Sequence, residues 1–189
     1  VDLCIIAGDF FESSQVNESL VSFAVAQLRR LSVPAVILPG NHDCLIPESV
    51  YHRSEFWQAA TNVQIFREPQ GETFTFPDLE VSVWGKPLIS YGGDMRPLSG
   101  VPQSEEDGQW HIAVAHGYYD DTESNSHRSF PISQEEIVTS HQDYIALGHC
   151  PVFRCLCDEP VKAYYCDSPS RSFPDSTVNI VDLVEGAGV

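Results

Sequence analysis

The stretch Val36-Ile37-Leu38-Pro39-Gly40-Asn41-His42-Asp43 follows an apolar run with an amide, an imidazole and a carboxylate in successive positions. The apolar run is typical of a buried strand, whereas the polar side chains that follow it are poor material for a core. They suit the carboxyl edge of a sheet, where α/β proteins keep their sites. This stretch therefore predicts an α/β fold with a functional site at the ends of its strands.

Three further apolar runs end in the same way. A lone His or Asp after a strand is usually a turn residue or a helix cap, but a glycine stands beside the polar residue at each of these ends. Glycine lets the backbone turn sharply and approach a bound group closely. The three runs are 3–7, followed by Gly8-Asp9; 112–115, followed by His116-Gly117; and 144–147, followed by Gly148-His149. Together these strand ends favour one metal-centred site.

Length and charge limit the functions that the chain can have. Its 189 residues suit one domain, predicted over residues 1–189, with a sizeable core. No stretch reaches the ~18–20 continuous apolar residues of a membrane span. The net charge of −17 argues against a broad basic surface that grips nucleic acid, so unaided DNA affinity should be low. The chain begins at Val1 and enters a strand almost at once, which predicts a fragment missing its N-terminus.

The six cysteines do not predict disulfides, because no signal peptide indicates an oxidising compartment. The only cluster, Cys155-x-Cys157 with Cys150 nearby, lacks a CxxC pair. Alternation along a strand would point Cys155 and Cys157 to the same face. Buried free thiols are favoured over a zinc site, and a cytoplasmic location is expected.

The first half of the chain has a βαβ pattern. A strand over 2–7 precedes an amphipathic helix, with Ser14 as a candidate N-cap, and a strand over 35–38 follows it. A second helix is expected over about 48–60. The apolar positions that define the first helix recur at intervals of three and four, and they are Val16, Leu20, Phe23, Ala24, Leu28 and Leu31.

The second half is dominated by short strands between Pro and Gly turns. Ser133-x-x-Glu136 is a capping box that predicts a short helix. Segments 90–108 and 118–130 are expected to be loops, the first a surface loop with the possibility of covering the site. The predicted strands are 62–66, 73–76, 80–84 and 110–115, followed by others near 143–147, 152–156, 161–166 and 177–183.

Four motifs together resemble the calcineurin-like metallophosphoesterase superfamily, whose ordered signature is D-x-H, GD-x-x-D, GNH[DE], a His and GH-x-H. They are Gly8-Asp9-Phe10-Phe11-Glu12, Gly40-Asn41-His42-Asp43, Ala115-His116-Gly117 and Gly148-His149-Cys150-Pro151. The flanking residues resemble the branch that contains bacterial DNA-repair exonucleases. Tyr164-Tyr165-Cys166-Asp167-Ser168-Pro169, for example, is similar to that branch's YPGSP segment.

The resemblance implies a four-layer αββα sandwich that holds two divalent metals, Mn, Fe or Zn, at its strand ends. Asp9 would bridge the two ions, while Asn41, His116 and His149 would complete the shell of the second. His42 would contact the scissile phosphate and protonate or stabilise the leaving oxygen. Two ions can clamp the attacking and leaving oxygens of a displacement, and a histidine near its ordinary pKa of ~6.5 can act as an acid.

The chain departs from the signature at three points. The D-x-H motif is absent, and the expectation is that it lies upstream of Val1. Pro151 stands where the last histidine belongs, so the first metal site keeps only Asp9. Glu12 replaces the usual Asp at what is expected to be an outer position.

The remaining polar candidates have weaker claims. Asp43 either orients a neighbouring ligand or caps the next helix, and Trp84-Gly85-Lys86-Pro87 either lines a groove or forms a turn. Asp120-Asp121 is expected to be solvated. Surface or structural roles are favoured for the histidines outside the motifs, which are His52, His111, His127 and His141.

These observations predict a metal-dependent phosphodiesterase that uses metal-activated water, with DNA as the substrate that the resemblance suggests. Manganese is the favoured metal, and the resemblance also implies an ATPase partner subunit. One alternative is a phosphatase or small-molecule phosphodiesterase of the same superfamily. The other is a catalytically impaired metal-binding or partner-binding domain, which Pro151 suggests.

Overall fold

A computed structural model describes residues 1–104, 108–120, 129–169, 177–185 and 188–189. Its helices are α1 (Glu18–Leu28), α2 (Ser54–Trp57) and α3 (Gln134–Thr139), with short 3₁₀ turns at Val50–His52 and Pro77–Leu79. The strands are β1 (Cys4–Ala7), β2 (Ala35–Leu38), β3 (Val63–Ile65), β4 (Glu72–Phe76), β5 (Val81–Gly85), β6 (Trp110–His116), β7 (Tyr118–Tyr119), β8 (Pro131–Ile132), β9 (Tyr144–Gly148), β10 (Arg154–Cys157) and β11 (Lys162–Tyr165).

Within the described residues, two main sheets carry the fold. The first is parallel with strand order β1-β2-β3, and the second has the order β10-β11-β9-β6-β5-β4. The four inner strands of the second sheet are parallel, while β4 and β10 pair antiparallel at its two edges. Strands β7 and β8 form a separate pair.

The alternation of side chains along the strands shows that the two sheets pack face to face. From β2, Val36 and Leu38 enter the apolar layer between the sheets, whereas Ile37 packs on the α1 side. From β6, Val114 enters the same inner layer, whereas Ala115 packs on the side of α3. Because successive residues point to opposite faces, the order of layers is helix, sheet, sheet, helix, which confirms the predicted αββα sandwich.

Helix α1 is capped by a different residue from the one predicted, and it buries only part of the predicted face. The side chain of Asn17, not Ser14, accepts the N–H of Leu20 at 2.9 Å, and Ser14 instead donates to the carbonyls of His42 and Cys44. Leu20 and Phe23 are 48% and 60% exposed. The predicted positions Val16, Ala24 and Leu28 are buried, whereas Val21 and Val25 are buried in place of Leu20 and Phe23.

The expected helix over 48–60 is also wrong. Arg53 has a non-helical backbone and separates the 3₁₀ turn at Val50–His52 from the single-turn helix α2. Two side-chain bonds favour this break over a continuous helix: the hydroxyl of Ser49 caps the N–H of Tyr51, and the Arg53 guanidinium donates to the carbonyl of Val16.

The strands agree with the prediction more closely, although Tyr118–Tyr119 forms β7 at the start of the predicted loop 118–130. One predicted strand, one predicted loop position and the cysteine alternation are also wrong. Residues 177–183 form no strand, and nearby only an isolated bridge joins Val184 to Gly188. Leu98, within the predicted surface loop, is 1% exposed and packs in the core. All six cysteines are free, but Cys155 is exposed and Cys157 buried, because an irregularity in register between them breaks the alternation.

The capping box at Ser133 and Glu136 is confirmed at the start of α3. Within the described part of the chain, no helix has the length and apolar character that crossing a bilayer requires. His127, Asp121 and parts of the two predicted loops, 105–107 and 121–128, lie outside the described residues.

Candidate metal centre

The carboxyl ends of β1, β2, β6 and β9 meet at one edge of the sandwich. Strand β1 contacts both β6 and β9 across the interface between the sheets, and β2 contacts β6. Asp9 and Asn41 follow β1 and β2, His116 is the last residue of β6, and His149 follows β9. The structure therefore brings together all four residues that the sequence proposes as ligands.

One atom from each of these side chains converges on a common point. Nε2 of His116 lies 3.1 Å from Oδ2 of Asp9 and 2.9 Å from Oδ1 of Asn41. Nδ1 of His149 lies 2.8 Å from the same Asn41 oxygen and 3.3 Å from His116 Nε2. Ligands held ~2.0–2.2 Å from a tetrahedral ion would lie slightly farther apart than this, so a small outward movement of the side chains would fit a cation between them.

The donors and acceptors in this cluster are compatible with a bound cation. Nδ1 of His116 lies 2.8 Å from the carbonyl oxygen of Ala7, which can only accept, so this nitrogen is assigned the proton. In the tautomer with the proton on Nδ1, the Nε2 lone pair of His116 faces a carboxylate oxygen and an amide oxygen, an arrangement that a shared cation would satisfy. The backbone bond to Nδ1 is the typical outer support of a metal-binding histidine.

Glycines permit the close approach of the four strand ends. Gly8 has φ +91°, in the left-handed region, and a Cβ there would overlap the ring of His116. A Cβ on Gly40 would overlap the Asp9 carboxylate, and one on Gly148 would overlap the carbonyl of Ala7. Two non-glycine residues, Asp9 and His149, also have positive φ, of 52° and 99°. Such strained conformations persist only where the surroundings fix them.

The electrostatics keep two of the candidate ligands in the forms that bind metal. Burial tends to raise the pKa of Asp9, but the hydrogen bond and charge of His116 and the N–H of His42 outweigh it and hold this pKa below its ordinary value. Burial, followed by the charge of His116, lowers the pKa of His149. At neutral pH these shifts favour an ionised Asp9 and a neutral His149. These are the deprotonated forms in which the two side chains can bind a metal ion.

Asp43 stabilises the backbone of the site through buried hydrogen bonds. Its carboxylate is fully buried and accepts the N–H of Phe11 at 3.0 Å, the N–H of Gly40 at 2.7 Å and the hydroxyl of Tyr51 at 2.6 Å. The alternative that Asp43 caps the next helix is therefore wrong, because none of its donors is the backbone of that helix. It joins the loop after β1 to the loop after β2, a role that the sequence prediction did not specify.

His42 lies beside the cluster, and its ring contacts Glu12 rather than the four candidate ligands. Its backbone N–H donates to Oδ1 of Asp9 at 2.9 Å, while its ring Nδ1 lies 3.3 Å from the carbonyl of Glu12 and 3.4 Å from Glu12 Oε1. The His42 side chain is 44% exposed and that of Glu12 is 95% exposed. An accessible imidazole next to a cation site is in position to meet a substrate, and Glu12 contacts this imidazole.

The other predicted candidates lie away from the cluster. His111 lies 2.9 Å from the Ser82 hydroxyl through Nδ1, and Lys86 donates to Ser99. His52 and His141 are exposed. Among the described residues, Asp9, His116 and His149 are the only group of three or more His, Cys, Asp or Glu side chains close enough together to hold an ion. Pro151, which is exposed, supplies no metal-binding atom.

Comparison with known proteins agrees with this geometry. A family model described as calcineurin-like phosphoesterase matches residues 1–163, which include the four strand ends and every residue of the cluster. No curated protein matches the chain.

Proposed function

This chain belongs to the calcineurin-like phosphoesterase family, and we propose that it is a phosphodiesterase of exonuclease type that uses metal-activated water. Membership indicates a hydrolase that acts on phosphoesters with divalent metal ions. The proposal for this chain rests chiefly on one observation. Four side chains from both sheets bring oxygen and nitrogen atoms that can bind a cation to one point, with neighbouring atoms 2.8–3.3 Å apart.

Each residue of the centre has a distinct part in the proposed reaction. Asp9, Asn41, His116 and His149 would hold a divalent cation. That cation would supply charge neutralisation and lower the pKa of a water molecule, from ~15.7 to as low as ~7. His42 would contact the phosphate and give a proton to the leaving oxygen, for which its exposed ring is suitably placed. Glu12 would hold the ring of His42 in orientation.

DNA is the proposed substrate because of the flanking residues, in particular 164–169, that resemble the exonuclease branch. The net charge of −17 is unfavourable for binding DNA unaided. We therefore propose that a partner, an ATPase subunit by the same resemblance, supplies the DNA-binding surface. Manganese is the proposed metal and the cytoplasm the proposed location.

A second candidate is a metal-binding domain with impaired catalysis. Pro151 favours it, because this residue occupies the last position of the GH-x-H motif and offers no ligand for a second ion. A phosphatase or small-molecule phosphodiesterase would use the same residues, and only substrate comparison separates it from a nuclease.

Metal analysis and activity measured together test these roles. The parent, loaded with manganese and dialysed, should retain about one ion per chain and hydrolyse a model aryl phosphodiester. Asp9→Ala should lose metal and activity together. His42→Ala should keep its metal while turnover falls by ~10²–10⁴, the effect of losing an acid–base group, and His52→Ala serves as an exposed control.

Each outcome distinguishes one proposal from another. Loss of metal from His42→Ala as complete as that from Asp9→Ala would overturn the role given to His42. A parent that binds manganese but hydrolyses no phosphoester would support the impaired domain, with Pro151→His as the rescue variant. Two tightly held ions in the parent would show that Pro151 does not limit the site.

A further inference from the structure

A cavity of about 250 Å³ lies beside the metal centre at the same edge of the second sheet. Its walls come from the segments that follow β6 and β9 and from strands β10 and β11. The residues that define its character are Tyr118, Tyr119, Pro151, Val152, Arg154 and Tyr165. None of these residues has a part in the proposed chemistry.

The chain connects this cavity directly to the candidate ligands. Tyr118 stands two residues after His116, and Pro151 stands two residues after His149. The ring of Tyr118 packs edge-on against the ring of His149, with centroids 6.4 Å apart and planes at 89°. The cavity therefore borders His149 and lies next to the position proposed for the phosphate.

The size of the cavity suits a single ring system. A cavity of ~150 Å³ is enough to hold benzene, whereas pockets for drug-sized ligands span ~300–1,000 Å³. At about 250 Å³ the cavity accommodates a phenyl ring or a nucleobase and little more. Tyrosine rings and the apolar side chains of Pro151 and Val152 provide surfaces on which such a ring can pack.

The charge of the walls suits a substituent attached to a phosphate. The chain carries 27 acidic residues, yet none of those in the described part of the chain lines this cavity. Among the described lining residues Arg154 alone is charged, and its guanidinium lies 5.7 Å from the centroid of the Tyr119 ring. This cation–π contact holds the guanidinium over an aromatic wall, where it can pair with an oxygen of a second phosphate.

From these observations we infer that the cavity is a specificity subsite for a planar aromatic substituent of the phosphoester, with Arg154 attracting a further anionic group. This inference rests on the proposed function for the position of the phosphate. Nucleobases and aryl groups share the required chemistry, so the subsite deepens the proposal toward nucleotide-like phosphodiesters rather than small alkyl ones.

Equilibrium binding tests the subsite without relying on turnover. Phenylphosphonate and methylphosphonate are titrated against the manganese-loaded full chain, and thymidine 5′-monophosphate and ribose 5-phosphate form a second pair of probes. Stacking of a base on an aromatic side chain contributes ~1–3 kcal/mol, so the aromatic probe of each pair should bind about tenfold tighter. A preference in the first pair alone indicates an aryl subsite, and a preference in both indicates one that accepts nucleobases.

Variants connect the preference to this cavity. Val152→Trp, at a residue 51% exposed, should fill the mouth and abolish the preference. Arg154→Gln should reduce the affinity for thymidine 3′,5′-bisphosphate, which carries a second phosphate, whereas Arg30→Gln, an exposed position beyond α1 with the same change in charge, should not. Arg154→Gln leaves the apolar walls intact, so it remains informative if the tryptophan variant does not fold.

The results separate this inference from the proposed function. Equal affinities within both pairs of probes, or no measurable binding of any probe, overturn the subsite. A preference that survives Val152→Trp in a folded protein also overturns it. If the aromatic preference is present while no phosphoester is hydrolysed, the proposed function fails and the subsite stands. If methyl and phenyl diesters are hydrolysed equally and the phosphonates bind equally, the subsite fails and the proposed function stands.

Discussion

The carboxylate of Asp43 stabilises the metal centre without taking part in it. It accepts hydrogen bonds from backbone N–H groups of the loops that carry Asp9 and Asn41, and a third hydrogen bond from the hydroxyl of Tyr51. All three bonds are buried, so none can be replaced by water without opening the site. The positions of two candidate ligands consequently depend on a residue that touches neither of them through its side chain.

Removing this carboxylate should destabilise the protein and weaken metal binding at once. Asp43→Ala leaves two buried N–H groups and one buried hydroxyl without a partner, and we expect a loss of at least about 3 kcal/mol in the free energy of unfolding. Tyr51→Phe removes one donor and should cost about 1–2 kcal/mol. Urea denaturation of each variant measures the difference. If Asp43→Ala and Tyr51→Phe lowered the free energy of unfolding by equal, small amounts, the backbone of the site would not depend on Asp43.

The lowered pKa of His149 predicts a pH dependence of the metal-free protein. The unfolded chain protonates this ring near its ordinary pKa of ~6.5, whereas burial makes the folded protein resist that proton. The unfolded state therefore binds more protons as the pH falls below ~6.5, and folding stability decreases in that range and is fully present above it.

His149→Asn should remove this part of the dependence, and His52→Asn, at an exposed position, should leave it. Thermal unfolding of chelator-treated protein between pH 5 and 8 gives the comparison. An unchanged pH profile in His149→Asn would assign the dependence to other groups.

The sequence predicted the positions of the candidate ligands better than their supports. Asp9, Asn41, His116 and His149 were found because a polar residue after an apolar run is visible in the chain itself. The carbonyl of Ala7 that fixes the tautomer of His116, and the hydroxyl of Tyr51 that reaches Asp43, leave no such pattern. Both contacts depend on how distant segments pack together.

At the level of elements, strands were predicted more accurately than helices. The buried strands β2, β6 and β9 are short apolar runs bounded by polar residues, so the run itself marks their limits. Helix α1 has apolar residues on either side of Ala24 and Leu28, and periodicity alone does not show that Val21 and Val25 are buried in place of Leu20 and Phe23. The expected second helix was broken at Arg53 by bonds to residues outside it, which a periodicity cannot show.

Two side-chain truncations can test which side of α1 faces the sheet. Val21 is fully buried, so Val21→Ala should lower the free energy of unfolding by about 2 kcal/mol through lost burial and a residual cavity. Leu20 is 48% exposed, and Leu20→Ala should change it by no more than about 0.5 kcal/mol. Chemical denaturation of both variants settles the comparison. A larger loss from Leu20→Ala would restore the face predicted from the sequence.

At the scale of the whole molecule, the two sheets and the metal centre depend on each other. Asp9 and Asn41 come from the first sheet and His116 and His149 from the second, so a bound cation would join the two halves of the sandwich. A ligand that binds only the folded state stabilises it by mass action. That residues 1–189 form one domain stays a prediction, although a centre shared by both sheets is what such a domain would require.

The net charge sets the last expectation, which concerns DNA. With 27 acidic and 10 basic residues, the chain has few cations with which to replace the counterions around a duplex. Because phosphate neutralisation supplies essentially all non-specific DNA binding, the isolated chain should show no measurable affinity for duplex DNA at micromolar concentrations and ~0.15 M salt.

Fluorescence anisotropy with a labelled duplex, at several salt concentrations and with the metal site loaded, measures this affinity. Proteins that make 6–10 phosphate contacts lose ~10³–10⁵ in affinity between 50 and 200 mM salt, and no such slope should appear here. Tight binding that weakens steeply with salt would reveal a local basic groove on this acidic chain and would remove the need for a DNA-binding partner. Weak binding together with hydrolysis of a nucleotide-like diester would instead place substrate selection at the metal centre, with affinity for DNA supplied from outside the chain.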